Sequence, residues 1–309
     1  MMMIKPKFWD KKIGIISILL LPFSLIVLFL IFLKKNLTKN NTFKIPVICV
    51  GNIYIGGTGK TPMSIFLSKE LVRLGKKPVI IRKFYKYHVD EHDLIKKSFK
   101  SLILNSKRTA GIREAIKSGY DVAVLDDGFQ DYSIKKNLNI ICFNQNQLIG
   151  NGLILPAGPL RESLDSLTNA DIIVINGQRN KKFEEKILKI NCDLKIFYSR
   201  YKTENLEKFK DKRLFAIAGI GNPENFFQLI ENNNLTIEKK FVFPDHYKFS
   251  KSEIQNIISE AETFGCEIVM TEKDYYKIKN FNFKNINYLK VSLVIEEQDN
   301  LSSMLKEII

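Results

Sequence analysis

The stretch from Val50 to Pro62, VGNIYIGGTGKTP, constrains this 309-residue chain more than any other part of it. It follows an apolar, β-like run from Ile45 to Val50 and opens a helix-like run from Thr61 to Leu74. A glycine-rich loop between a strand and a helix is the setting that a phosphate-binding P-loop requires. Gly56, Gly57 and Gly59 let the backbone approach an anion and turn its N–H groups inward. Tyr54, Ile55 and Thr58 belong to the same nucleotide cradle. Lys60 can reach the β- and γ-phosphates, and the Thr61 hydroxyl can ligate Mg²⁺. Pro62 suits a first helical turn, and the helix N-terminus adds partial positive charge facing the phosphates. The general pattern G-x-x-x-x-G-K-[ST] asks for Gly at position 54, where this chain has Tyr54. The bland alternative is a glycine-rich turn with a surface lysine. Strand, glycines, Lys-Thr pair and helix agree against it. The loop speaks for a nucleoside triphosphate and leaves the acceptor unnamed.

After residue 44, strand-like and helix-like segments alternate. Residues 45–50, 78–82, 121–125, 139–143 and 171–175 are short, rich in Val and Ile, and apolar nearly throughout, as in a buried parallel sheet. Helices are expected over 61–74, closed by Gly75, and over 109–118, closed by Gly119. This is the β-α-β alternation of a doubly wound α/β domain. The fold expected is α/β: a P-loop NTPase-like, mostly parallel sheet flanked by helices, with a smaller C-terminal α/β domain. The smaller domain is signalled by a strand at 214–218, a turn at 219–223, helices beginning at 224 and spanning 250–263, and a strand at 267–271. The polar, lysine-rich join from Tyr201 to Asp211 reads as the linker. The organisation expected is an anchor over 1–36, a kinase core over 37–205 and the smaller domain over 206–309. The Asn/Lys-rich stretches 36–44 and 277–287 read as solvated connections.

Residues 13–33 carry no charge and are long enough to cross a bilayer core as a helix. No small-x-small cleavage site follows them, against a secretory signal peptide. Pro22 would kink the helix, so both a spanning and a re-entrant anchor fit. Trp9, Lys11 and Lys12 suit the membrane interface. Lysines flank the run on both sides, so charge does not orient it; the need for ATP or GTP places the body in the cytoplasm. The formal net charge of +15 points to an anionic partner, among them nucleic acid, a membrane surface or a phosphorylated substrate, or else to a lysine-rich proteome. The four cysteines lack C-x-x-C spacing and read as reduced structural thiols. The three histidines are too spread to form a metal cluster by themselves.

Four further stretches carry candidate chemistry. In Asp121–Gln130, DVAVLDDGFQ, an apolar strand runs into Asp126 and Asp127. Such a strand end would put a carboxylate beside the P-loop to hold Mg²⁺ directly or through water. In Asn151–Glu162, NGLILPAGPLRE, two prolines and two glycines fix a rigid loop. Arg161 at its end either clamps a phosphate or is a surface arginine. In FPDHY, His246 follows a proline turn and can act as a base or orient one. In MTEKD, Lys273 either meets a phosphate or pairs with Glu272 or Asp274.

With these strings on the page, the chain resembles the tetraacyldisaccharide 4′-kinases, the lipid A 4′-kinases of Gram-negative bacteria. The resemblance covers nearly the full length. It rests on an apolar N-terminal segment with a nearby Trp, then VGNIYIGGTGKTP, LDDGFQ, NGLILPAGPLRE, AGIGNPENFF, FPDHYKFS and MTEKD, in that order. The absence of the first P-loop Gly is itself typical of that family.

The resemblance implies transfer of the ATP γ-phosphate to the 4′-hydroxyl of an acylated glucosamine disaccharide 1-phosphate, at the cytoplasmic face of the inner membrane, with Mg²⁺ and without nucleic acid. It implies that Lys60 and Thr61 bind phosphates and Mg²⁺, that Asp126 and Asp127 are the acidic pair, and that Gln130 is the family's glutamine. His246 matches a histidine that works with an aspartate to activate the sugar hydroxyl, and Asp90 is the best match for that aspartate. Gln130, Arg161 and Lys273 are expected to support the substrate. Three departures stand out. The family's Gly-Asp-Glu-Pro survives only as Asp90-Glu91, the segment from Ile81 to His88 lacks a Ser-Arg-Gly-Tyr-Gly run, and Asp131 replaces a His after DGFQ. A rival reading is a membrane-tethered P-loop ATPase acting on a protein partner. A third is a lipid-binding relative without catalysis. The sequence sets no oligomeric state.

Overall fold

The computed structural model describes residues 6–85, 89–245 and 247–309, with the side chains at 89 and 90 outside that description. The chain divides into two compact units. The larger takes residues 5–84, 99–200 and 293–309; the smaller takes 85–98 and 201–292. The smaller unit thus gains 85–98 from the stretch that the sequence assigned to the core, and the larger regains the last 17 residues of the chain, 293–309.

In the larger unit, strand β1 (Val47–Gly51) is buried at every position and leads through the glycine loop to helix α2 (Lys60–Arg73). Strand β2 (Pro78–Lys83), strand β3 (Leu102–Asn105), helix α4 (Arg108–Lys117) and strand β4 (Val122–Asp126) follow, while helix α3 (Val89–Ser98), between β2 and β3 in sequence, falls in the smaller unit. Next come β5 (Leu138–Asn144), β6 (Ile172–Asn176), helix α5 (Lys181–Leu188) and β7 (Lys195–Thr203). The eight-stranded sheet has the order β12-β7-β6-β5-β1-β4-β2-β3, where β12 is Val291–Ile295. From β3 through β7 each neighbouring pair is parallel. Parallel pairing needs both faces covered, and the central β1, β4 and β6 are buried at every position, whereas β3 and β7 are only partly so. Helices supply cover: α2 buries Met63, Leu67 and Leu71 at helical spacing. The final helix, α9 (Gln298–Ile308), is tied to the back of α2, where Ser302 and Gln298 donate to the buried Glu70 carboxylate at 2.6 and 2.8 Å.

Ahead of the sheet stands helix α1 (Ile15–Leu37), with Pro22 inside it and a mean hydropathy of 3.0. By length and composition it can cross a membrane. It is seated on the larger unit along one polar seam. Ser24 Oγ donates to the Ile154 carbonyl at 2.8 Å and accepts from the Ala157 N–H, Asn151 donates to Ser17 Oγ, and Lys34 reaches the Gln130 carbonyl. Just before it, the buried Trp9 donates to the Pro156 carbonyl at 3.0 Å. Ile15, Leu19, Phe23, Ile26 and Leu30 are exposed on the other side.

The smaller unit is a parallel four-stranded sheet in the order β11-β10-β8-β9. Its elements are β8 (Arg213–Ala218), α6 (Pro223–Glu231), β9 (Thr236–Val242), α7 (Lys251–Thr263), β10 (Glu267–Thr271), α8 (Glu272–Ile278) and β11 (Ile286–Leu289). Strand alternation sorts β8 between two cores. Leu214, Ala216 and Ala218 pack with Phe227 and Ile230 of α6, while Phe215 and Ile217 pack with Ile254 and Ile258 of α7. Ser250 and Glu253 form a capping box that starts α7. Helix α3 belongs here because it lies against α8. Lys279 pairs with Asp93 at 2.7 Å, and the Lys97 ammonium sits 4.8 Å from the Tyr276 ring centre.

Candidate functional site

The P-loop backbone takes the shape that its glycines permit. Gly56 and Gly59 have φ of 97° and 89°, in the left-handed region where a side chain is strained. Gly59 caps α2, so Lys60 and Thr61 stand on its first turn. The loop is braced from three directions. Asn52 donates to Thr58 Oγ1 at 2.9 Å across the loop, and Gln130 donates to the Asn52 carbonyl at 2.8 Å. From the Pro-Gly loop, Arg161 N–H donates to the Ile53 carbonyl at 2.7 Å, and the Pro159 carbonyl accepts from Ile55 N–H at 2.9 Å. Gln130, expected as a substrate or support residue, braces the loop. Tyr54 is fully buried and its hydroxyl donates to Asp10 at 2.9 Å. Only its backbone is therefore left to take part in a nucleotide cradle, and the bulk that replaces glycine goes into the core.

Strand β4 lies beside β1 and delivers the two acids. Asp126 is fully buried; it accepts from Thr61 Oγ1 and from Ser64 Oγ, each at 3.1 Å, and is salt-bridged by Arg82. Asp127 follows with φ of 60°, an uncommon conformation for a residue with a side chain. Its carboxylate lies 3.7 Å from Lys60 Nζ and accepts from Arg161 Nη1 at 3.0 Å, while Arg108 donates to its carbonyl at 2.5 Å. Burial alone would raise the Asp127 carboxyl, but Lys60 and Arg161 outweigh it and hold it well below the usual carboxylate range. Burial pushes the Lys60 ammonium down, partly offset by Asp127.

Lys60, Thr61, Asp126, Asp127 and Arg161 are thus brought together. Sequence reading missed Arg82 and Arg108. Arg82 is the sheet partner of Asp126, two strands that are far apart in sequence. The signal available was a guanidinium at the end of the apolar run PVIIR. Thr61 and Asp126 offer adjacent hard oxygens of the kind Mg²⁺ takes while keeping phosphate and water in its other positions. Among the described residues no group of three or more His, Cys, Asp or Glu forms a metal cage.

The smaller unit gathers its own motif residues. Lys273 Nζ lies 3.0 Å from Glu91 Oε1 and 3.0 Å from Asp245 Oδ1, rather than against Glu272 or Asp274. Asp274 is fully buried and accepts from Gly219 N–H at 2.7 Å, from Thr271 Oγ1 at 2.6 Å and from Lys277 Nζ at 2.6 Å. Lys277, expected in a solvated connection, is therefore part of this knot and also reaches the Gly219 carbonyl. Asp90 stands in the first turn of α3, next to Glu91; its side chain lies outside the described residues, as does all of His246.

Comparison with known proteins bears on both units. A family model described as tetraacyldisaccharide-1-P 4′-kinase matches residues 16–309. A tetraacyldisaccharide 4′-kinase of Pelagibacter ubique is 43% identical over 305 residues, which cover 97% of this chain and 96% of the relative. One from Rickettsia peacockii is 33% identical over 313 residues, covering 96% of each. The crystal structure of the "apo" form LpxK from Aquifex aeolicus in complex with ATP aligns with a TM-score of 0.73 at 24% identity. That alignment covers 95% of this chain and 99% of the other, and it speaks for the fold.

Proposed function

The chain belongs to the tetraacyldisaccharide-1-P 4′-kinase family, and we propose that Lys60, Thr61, Asp126 and Asp127 hold the phosphates and cation of ATP while Asp90 and His246 activate the 4′-hydroxyl of the disaccharide 1-phosphate. The observation that carries this reading is the meeting of Lys60 with Asp127 and of Thr61 with Asp126 at the carboxyl ends of β1 and β4. Open α/β sheets bind ligands at that edge.

Phosphoryl transfer leaves the protein little covalent chemistry, so positioning and charge neutralisation dominate. The P-loop N–H groups and Lys60 cradle the triphosphate. Thr61 and Asp126 would hold Mg²⁺, which supplies charge neutralisation between the phosphate oxygens when bound. Arg82 and Arg161, now paired with the two acids, stand ready to take phosphate oxygens when ATP brings its own negative charge. Asp90, oriented by His246, accepts the proton of the sugar hydroxyl. Lys273 is a positioning residue: it ties Glu91, the neighbour of Asp90, to Asp245, the neighbour of His246.

The acyl chains of the acceptor stay in a bilayer, so attachment of the enzyme raises the local encounter rate. Helix α1 provides it at the cytoplasmic face of the inner membrane, where ATP is available. Ser17 and Lys34 are about 25 Å apart along the helix, and both contact the larger unit. A perpendicular crossing would carry loop carbonyls at 130 and 154 into hydrocarbon, where polar backbone is costly. The helix therefore lies with its exposed apolar side in one leaflet.

Depletion of the enzyme in its own cell, followed by mass spectrometry of lipid A precursors, tests the reading. Accumulation of the unphosphorylated disaccharide 1-phosphate is expected; an unchanged precursor pool contradicts it.

A further inference from the structure

The amino-terminal segment ahead of α1 is packed into the larger unit. Lys7–Asp10 form one 3₁₀ turn, with the Trp9 ring buried. The Trp9 carbonyl accepts from the Asn151 N–H at 2.7 Å, and the ring N–H donates to the Pro156 carbonyl. The approach is so close that a Cβ on Gly150, whose φ is 58°, would meet the Trp9 carbonyl oxygen at 2.5 Å. The turn therefore grips the Pro-Gly loop at two points, before α1 adds Ser17 and Ser24 to the same seam.

Two routes lead from this turn to the nucleotide loop. One runs through the Pro-Gly loop, where the Pro159 carbonyl accepts from the Ile55 N–H and Leu160 bridges both Ile154 and Tyr54. The other is direct: the Tyr54 hydroxyl donates to Asp10 at 2.9 Å. The main chain of Tyr54 is in turn tied to the rest of the cradle. Asn52 Nδ2 donates to the Tyr54 and Gly56 carbonyls and to Thr58 Oγ1. A side chain held at its tip by Asp10 thus holds a backbone that Asn52 shares with two further loop residues. The glycines leave this loop many conformations, and the ordering that ATP must impose on it is subtracted from affinity. Tyr54 stands where the general P-loop pattern has glycine, and its buried ring, held at the far end, removes part of that freedom beforehand.

We propose that Asp10, acting through Tyr54, is a positioning residue for nucleotide binding, so that the seat of the amino-terminal segment and the ATP cradle are coupled. A segment held in place raises the affinity for ATP, and bound ATP holds the segment in place. The second statement follows from the first, because a coupling free energy between two sites is reciprocal. The inference rests on the reading of the P-loop as the ATP site of a kinase. An enzyme whose amino-terminal turn has come away would hold ATP more weakly.

The test uses the full chain in detergent micelles. Calorimetry with a non-hydrolysable ATP analogue and Mg²⁺ gives the affinity, and hydrogen exchange of residues 7–24 is followed with and without the analogue. Asp10 is at an exposed position, and Tyr54→Phe keeps the buried ring. Tyr54→Phe and Asp10→Ala should each weaken the analogue about fivefold, the order of one net hydrogen bond. Combined, they should weaken it no more than either alone. Asp10→Asn, which keeps an acceptor oxygen, should restore most of the affinity, and the KM for the lipid should not change in any of them. The analogue should slow exchange at 7–24 in the wild type and do so less in Tyr54→Phe. Full affinity in both single variants, additive losses in the double variant, or exchange at 7–24 that ignores the analogue overturns the proposal. So does an equal loss toward ATP and lipid, which would mean a loosened fold. If the wild type binds the analogue but never phosphorylates the lipid, the kinase reading fails on its own, and the same affinities and exchange still decide the coupling. If the wild type does not bind the analogue, both fall.

Discussion

In the larger unit the motif residues stand at the open ends of strands, whereas in the smaller unit they close on one another. Lys60, Thr61 and Asp127 sit on a partly accessible loop edge and pair with groups that a triphosphate and a cation can replace. Asp274, equally recognisable as a motif residue, is sealed by Gly219, Thr271 and Lys277. A string of charged residues after an apolar strand therefore has two meanings, and burial separates them.

The largest effect expected from breaking this contrast is at Lys60. Lys60→Ala should lower kcat/KM for the disaccharide lipid by about 10²–10³-fold or more, while sedimentation with membranes is unchanged. Comparable activity in that variant would remove the larger unit's claim to the chemistry. Asp274→Ala should instead act on folding. Removing one partner of a buried charge pair costs about 3–5 kcal/mol, read as a lowered urea midpoint for the smaller unit with ATP binding retained. Loss of turnover at full stability would move Asp274 from architecture to catalysis.

Lys273→Ala sharpens the comparison, because Lys273 belongs to the smaller unit yet is only partly sealed. Its kcat should fall about tenfold, of the order of one charge-assisted contact, with the KM for ATP unchanged and most of the rate restored in Lys273→Arg. A parallel rise in the KM for ATP would mean that it meets a phosphate.

The pH dependence separates the units further. Asp127 is held ionised below the usual range, so its native pKa lies under its unfolded value of about 3.9. Its contribution to stability is present above that unfolded value and is lost as pH falls through the native one. Asp127→Asn should flatten the acid limb of a stability curve below about pH 4. Burial lowers the Lys60 pKa, so kcat/KM for ATP should decline on the alkaline side before an ordinary lysine near 10.4 titrates. The smallest effect is at the anchor seat. Ser24→Ala removes hydrogen bonds worth about 1 kcal/mol each and should lower thermal stability by a few degrees without releasing the chain from membranes.

Much of this was legible because it is local. The P-loop, the strand ending in Asp126-Asp127 and the capped helix after Ser250 each declare themselves within a dozen residues. Apolar runs of Val and Ile likewise mark β1, β2, β4, β5 and β6, since buried parallel strands need no alternation. What escaped depends on partners distant in sequence. Arg82 meets Asp126 only because β2 and β4 are neighbours. Residues 85–98 leave the larger unit because α3 finds Tyr276 and Lys279 on the other side of the sequence. The Pro-Gly loop before Arg161 read as a rigid loop, but its role as a strut did not show: it holds the P-loop with one edge and Ser24 and Trp9 with the other. Its presence therefore does not by itself argue for a lipid acceptor.

The most direct test of the account follows the label of γ-³²P-ATP in a reaction containing the purified chain, Mg²⁺ and tetraacyldisaccharide 1-phosphate, with Lys60→Ala alongside. Label is expected on the 4′-oxygen of the lipid with the wild type and almost none with the variant. Label released only as inorganic phosphate, or lipid labelled equally by both proteins, would contradict it.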